Sequence, residues 1–139
     1  MSGNPLSSLN AYGSFLSDLI GRFPIVHSTV RVWPASPYTG VAEGDVLFTN
    51  SIRLRVRQEL DFDAQLITAY GYEVYEQGKR LYWYDDFPHP NEVSLATTYP
   101  HYKHVPPDLK HNRIPAPEMS FSRPNLPVVI REIENLLRE

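Results

Sequence analysis

Between Ile52 and Arg57 the chain alternates without a break: Ile52, Leu54 and Val56 take one side, and Arg53, Arg55 and Arg57 the other. Two residues is the side-chain period of a β-strand, so this stretch predicts a strand with one face on a core and one in water. A sheet solvated on one face is ordinarily antiparallel, and the surrounding sequence supplies the partners. Ile25 to Trp33 alternates with a slip near Ser28, Asp45 to Phe48 is short and apolar, Gln65 to Tyr75 is rich in tyrosine, and Arg80 to Tyr84 follows the hairpin turn Gln77-Gly78. Thr49-Asn50-Ser51 and Asp61-Phe62-Asp63 read as the other turns, and Pro34 to Gly40 as a loop. Short links between consecutive strands predict an antiparallel meander of about five strands over residues 25–85.

Helical periodicity brackets the sheet. Asn4-Pro5 reads as a cap and first helical residue, after which Leu6, Leu9, Tyr12, Leu16, Leu19, Ile20 and Phe23 recur at helical spacing. A helix over 5–21 is expected, with Gly21 and Pro24 as its stop. Leu126, Val129, Ile130, Ile133, Leu136 and Leu137 form a second apolar stripe, which predicts a helix over 125–138 with Asn125 at its N-cap. Each helix has one apolar face, so both are expected on one face of the sheet: a single α+β domain spanning 1–139.

Nine of the thirteen prolines fall between Pro88 and Pro127. They remove backbone donors, so residues 86–118 are expected as a long loop, with Ser120-Phe121-Ser122 a short edge strand after it. Loops of that length in compact domains usually carry function. Four of the five histidines, His89, His101, His104 and His111, lie within this one.

Composition narrows the chemistry. Cysteine is absent, which excludes thiol catalysis and cysteine-ligated zinc and suits a reducing compartment. The N-terminal stretch lacks a signal-peptide pattern and no apolar run is long enough to span a bilayer, so a cytoplasmic protein without membrane contact is expected. A net charge of −3 argues against coating nucleic acid by bulk attraction, but leaves room for a local basic site.

Three readings of the histidines compete. In the first, His101 and His104, with His89 in reserve, are general acid and base, Asp85 orients an imidazole and Lys103 stabilises charge on a phosphate. In the second, His101 and His104 bind a metal with His89 and Asp85 or Asp86, although the spacing matches no helical zinc motif. In the third the imidazoles hydrogen-bond loop carbonyls and fix its path, and Asp85 caps a turn. The row Arg53, Arg55 and Arg57 is the candidate phosphate-binding surface; the plain alternative is a solvated face balanced by Glu59, Glu73 and Glu76.

Three segments also resemble a known family. Tyr70-Gly71-Tyr72-Glu73-Val74-Tyr75, Tyr84-Asp85-Asp86-Phe87-Pro88-His89 and Tyr99-Pro100-His101-Tyr102-Lys103-His104-Val105 are similar in order and spacing to the TumE-type toxins, one half of a bacterial toxin–antitoxin pair. The likeness runs from about Val46 to Leu137. Asp85, Pro88, His89, Pro100, His101, Lys103 and His104 match; Trp83 stands where the family usually has arginine, Asp86 where it has asparagine and Tyr102 where it has histidine. The resemblance implies a toxin-like protein with a cognate antitoxin as partner. Histidine, lysine and arginine chemistry adds a metal-independent ribonuclease acting on RNA, without cofactor, as the expected activity. A homodimer stands as a candidate assembly, and a non-catalytic protein-interaction module and a metal-dependent hydrolase stand as alternative functions.

Overall fold

The computed structural model describes residues 3–22, 25–87 and 92–138. It is an α+β fold: an eight-stranded, wholly antiparallel sheet with two helices packed on one face. The strands are β1 (His27–Ser28), β2 (Arg31–Pro34), β3 (Thr39–Leu47), β4 (Ile52–Asp61), β5 (Leu66–Glu76), β6 (Lys79–Asp85), β7 (Tyr102–His104) and β8 (Arg113–Pro115). From β3 to β8 each strand pairs with the next, while β1 and β2 both pair with β3. The helices are α1 (Leu9–Arg22) and α2 (Leu126–Leu137).

The alternation in β4 does what its period demands. Ile52, Leu54, Val56 and Leu60 are buried under the helices, and Arg53, Arg55 and Arg57 stand on the open face. Gln77 and Gly78 both have positive φ, the conformation a two-residue hairpin with native twist requires. Gly44 is different in kind: at φ +150° a Cβ there would sit 2.6 Å from the Thr29 carbonyl oxygen and Val30 Cα. It lets the chain cross from β1 to β2, the slip that breaks the first expected strand in two.

Four expectations are corrected. The first helix does not run on from Pro5: Asn4 caps a 3-10 turn, Pro5–Ser7, and the chain restarts at Ser8, whose hydroxyl accepts from Ala11 N–H at 3.0 Å. The third strand reaches back to Thr39 and absorbs part of the expected loop. The proline-rich segment is not all loop. It adds β7 and β8 to the sheet, which with the division of the first expected strand into β1 and β2 makes eight strands rather than five, and it turns through a 3-10 segment at Val93–Thr98. Pro106 and Pro107 follow β7 and Pro115 ends β8, so none needs an interior ladder donor. Finally, Ser120-Phe121-Ser122 forms no strand, although the Phe121 carbonyl accepts from Ile67 N–H at 2.7 Å.

Asn125 precedes α2 as expected, yet its side chain does not cap it. Fully buried, it accepts from Ser120 N–H at 2.8 Å and donates to the Tyr72 hydroxyl at 3.2 Å. Gln58 links Tyr72 onward to Tyr12, at 2.6 Å and 2.5 Å. This buried chain ties α1, β4, β5 and α2 together where an apolar core alone would leave four polar groups unsatisfied.

Candidate functional site

Register fixes what shares the open face. Directly paired residues in an antiparallel sheet project to the same side. One row across the sheet reads Asp45, Arg55, Glu73, Trp83, His104 and Arg113. The adjacent row reads Glu43, Arg57, Gly71, Asp85 and Tyr102. The arginines of β4 and the Asp85–His104 region therefore lie on one surface, with Gly71 between Arg57 and Asp85.

Asp85 is a hub. Its Oδ1 accepts from Phe87 N–H at 3.0 Å, the local turn contact, while Oδ2 accepts from the Trp83 indole N–H at 3.1 Å. The Tyr102 hydroxyl also hydrogen-bonds Asp85, and burial followed by that bond pushes this phenol well above its ordinary range, so it stays protonated and donates. His104 Nε2 is 3.7 Å from Asp85 Oδ2. His104 Nδ1 is 2.6 Å from the Leu109 carbonyl oxygen, which can only accept, so Nδ1 carries a proton, and Nε2 is the nitrogen turned toward Asp85. The ring lies flat on Trp83 at 3.8 Å between centroids, and the Arg80 guanidinium sits 3.9 Å over the same indole.

The expected pairing of His101 with His104 does not form. Side chains at i and i+3 on an extended chain point to opposite faces. His101 is on the helix side, where Nδ1 meets the Tyr70 hydroxyl at 2.6 Å and the ring packs 4.6 Å from Phe121. Burial, then Arg123, hold this histidine below its ordinary value, which keeps it neutral. Lys103 is on the helix side too: Nζ pairs with Glu132 of α2 at 3.2 Å and lies 4.3 Å over the Tyr82 ring. Its place is a strut between β7 and α2, away from the arginine row. His111 is exposed and pairs with Asp108 in the β7–β8 connection. His89 lies outside the described residues.

The arginine row is balanced chiefly from β3 rather than by the expected Glu59, Glu73 and Glu76. Arg53 pairs with Asp45 at 3.1 Å, Arg57 with Glu43 at 3.0 Å, and Arg55 reaches both acids at 3.8 and 3.6 Å. Glu59 adds a looser contact to Arg57 at 3.7 Å, while Glu73 is engaged by Arg80 at 3.3 Å. The arginine side chains remain 37–54% exposed. Exposed pairs of this kind are worth about 0–1 kcal/mol, so a phosphate accepting a bidentate contact can compete for them.

Between these groups lies a groove of about 330 Å³, lined by Arg55, Arg57, Glu43, Glu59, Glu73 and the small residues Ala69 and Gly71. Sequence reasoning missed Gly71 as part of a site, and noted Trp83 and Tyr102 chiefly as departures from the family pattern. The signals were present: Trp83 and Asp85, like Tyr102 and His104, are two apart on strands, and Gly71 interrupts an otherwise bulky strand. Among the described residues no three histidine or acidic side chains converge as a metal site.

A protein-family model described as Toxin TumE matches residues 16–137. The chain belongs to the TumE toxin family. The match takes in the whole sheet, α2 and every residue of the open-face cluster. No curated protein and no solved structure matches the chain. Of the three positions noted in the sequence as unlike the TumE pattern, two bond Asp85 and the third, Asp86, adjoins it along the chain. Trp83 donates to Asp85 and carries Arg80 on its ring, so a cation stays close by. Tyr102 donates to Asp85. Asp86 accepts from Tyr70 N–H at 3.3 Å, and burial raises its pKa. No helix among the described residues of this TumE protein is long and apolar enough to cross a membrane.

Proposed function

We propose that this chain is the toxin of a two-gene toxin–antitoxin pair, that it cleaves RNA in the cytoplasm, and that the reaction takes place on the open sheet face around Asp85 and His104. One observation carries this reading. Asp85 gathers the Trp83 indole, the Tyr102 hydroxyl and the Nε2 side of His104 beside a groove with Arg55 and Arg57 on its far wall. A turn-capping aspartate needs only the Phe87 contact on Oδ1; the Trp83 indole donates to Oδ2, His104 Nε2 faces that same oxygen, and the Tyr102 hydroxyl adds a further bond to the carboxylate.

In this reading the Asp85–His104 pair takes the proton from a ribose 2′-hydroxyl, the 2′-oxygen attacks the adjacent phosphorus, and the bond to the 5′-oxygen breaks to leave a cyclic phosphate. Arg57 and Arg55 hold the phosphoryl oxygens while negative charge builds on them. The 5′-oxygen must gain a proton as it leaves. His101 faces the other side of the sheet, so His89, the sequence's reserve, is the proposed donor. A cognate antitoxin would cover this face, since α1 and α2 occupy the other.

The interaction-module reading has one observation in its favour: His104 is only 6% exposed at its side chain and anchored on Leu109, as a loop-fixing histidine would be. Induced expression separates the two. Catalysis requires that His104→Ala and Asp85→Asn each abolish growth arrest and RNA loss in folded protein. An interaction module would arrest growth with total RNA intact.

A further inference from the structure

Gly71 sits inside β5 with no backbone reason to be glycine. It lacks a positive φ, and a Cβ built on it would meet nothing within 4 Å. Glycine in a strand interior weakens the strand and packs nothing, so one that neither conformation nor crowding demands often marks the close approach of a ligand. Its position fits that role: it faces Arg57 on β4 and Asp85 on β6, and with Ala69 it floors the groove. A side chain at 71 would stand between the cation and the carboxylate.

We infer that the Gly71 groove is a subsite for one ribose–phosphate unit of single-stranded RNA, its phosphate on Arg57 and Arg55 and its ribose hydroxyl toward Asp85. The inference rests on the ribonuclease reading and adds to it the size and charge of what is bound. The groove is short, and its two arginines are flanked by Glu43, Glu59 and Glu73. That balance suits contact with one phosphate of the strand rather than with a run of them. Binding should therefore depend weakly on salt, with a logarithmic slope of about −0.7 for one neutralised phosphate on a single strand.

The test uses the purified full chain, a fluorescent single-stranded RNA octamer of mixed sequence, and anisotropy over a salt series. Gly71→Val has room for its side chain and a better strand former, so its thermal midpoint should equal or exceed that of the wild type. Its RNA affinity should fall about tenfold or more through loss of the charge-assisted contacts. Gly71→Ala, adding one methyl group, should fall in between. Equal affinity in the wild type and folded Gly71→Val, or no binding of the octamer by the wild type, overturns the inference. If the wild type degrades cellular RNA on induction and Gly71→Val does so equally, the subsite fails and the ribonuclease reading stands. If wild-type induction leaves RNA intact, the ribonuclease reading fails on its own evidence.

Discussion

His101 and His104, three residues apart on one extended segment, serve opposite faces of the sheet: the first hydrogen-bonds Tyr70 beneath the helices, and the second stacks on Trp83 beside Asp85. Their separation along the chain is about 10 Å at strand rise, with the sheet between them. They cannot hand a proton to one substrate. Substituting them should accordingly divide function from stability. His104→Ala should abolish growth arrest. His101→Ala should lower stability by about 1–2 kcal/mol, through the unpaired Tyr70 hydroxyl and lost packing on Phe121, while folded protein stays active. Urea denaturation alongside induced expression checks both.

The burial of His101 gives stability a pH dependence of known sign. Burial and Arg123 hold its folded pKa below the ordinary histidine value of 6.5, so the unfolded chain takes up the proton more readily. Its contribution is complete above that value and is lost as pH falls through it and on to the lower folded value. His101→Gln should flatten the decline in denaturation midpoint on acidification from neutral pH. Identical slopes in the variant and the wild type would show that His101 is not the group responsible.

Asp86 has the opposite sign. Burial raises its pKa in the folded state, so the ionised carboxylate weighs against folding near neutral pH and ceases to do so once protonated. Asp86→Asn retains an oxygen for the Tyr70 N–H, so the variant should be more stable than the wild type at pH 7 and no more stable at about pH 3. Thermal melts at the two pH values decide it. A loss of stability at neutrality would mean that the charge is used.

The buried chain Tyr12–Gln58–Tyr72–Asn125 should be costly to break. Gln58→Leu leaves the Tyr12 hydroxyl without its partner, and burial holds that phenol protonated, so it cannot escape by ionising. A loss of about 1–3 kcal/mol is expected in chemical denaturation. Lys103→Ala and Glu132→Gln, combined in a double-mutant cycle, should show coupling of about 1 kcal/mol, because the pair is only partly exposed and shares the Tyr82 and Tyr84 rings.

Much of the fold could be read from local period. The alternation Ile52 to Arg57, the Gln77-Gly78 turn and the stripe Leu126 to Leu137 each specify an element without outside help. Residues 86–118 could not be read that way. Strands of three residues are too short for a period to register, and their prolines lie at strand ends, where they cost no ladder bond. The candidate site was half legible for the same reason. Residue types marked Asp85 and His104, but which face each histidine takes depends on Tyr102–His104 pairing with β6, a long-range register that no local pattern carries. Gly71 was legible as an interruption, yet only the open space above it separates a functional glycine from a conformational one such as Gly44.

The most direct test of the open-face site is a three-way comparison of wild type, His101→Ala and His104→Ala under matched induction, with growth, total RNA integrity and soluble protein followed together. Growth arrest and RNA loss retained by His101→Ala and absent from equally soluble His104→Ala is the expected outcome. Arrest and RNA loss undiminished in His104→Ala would contradict placement of the reaction beside Asp85.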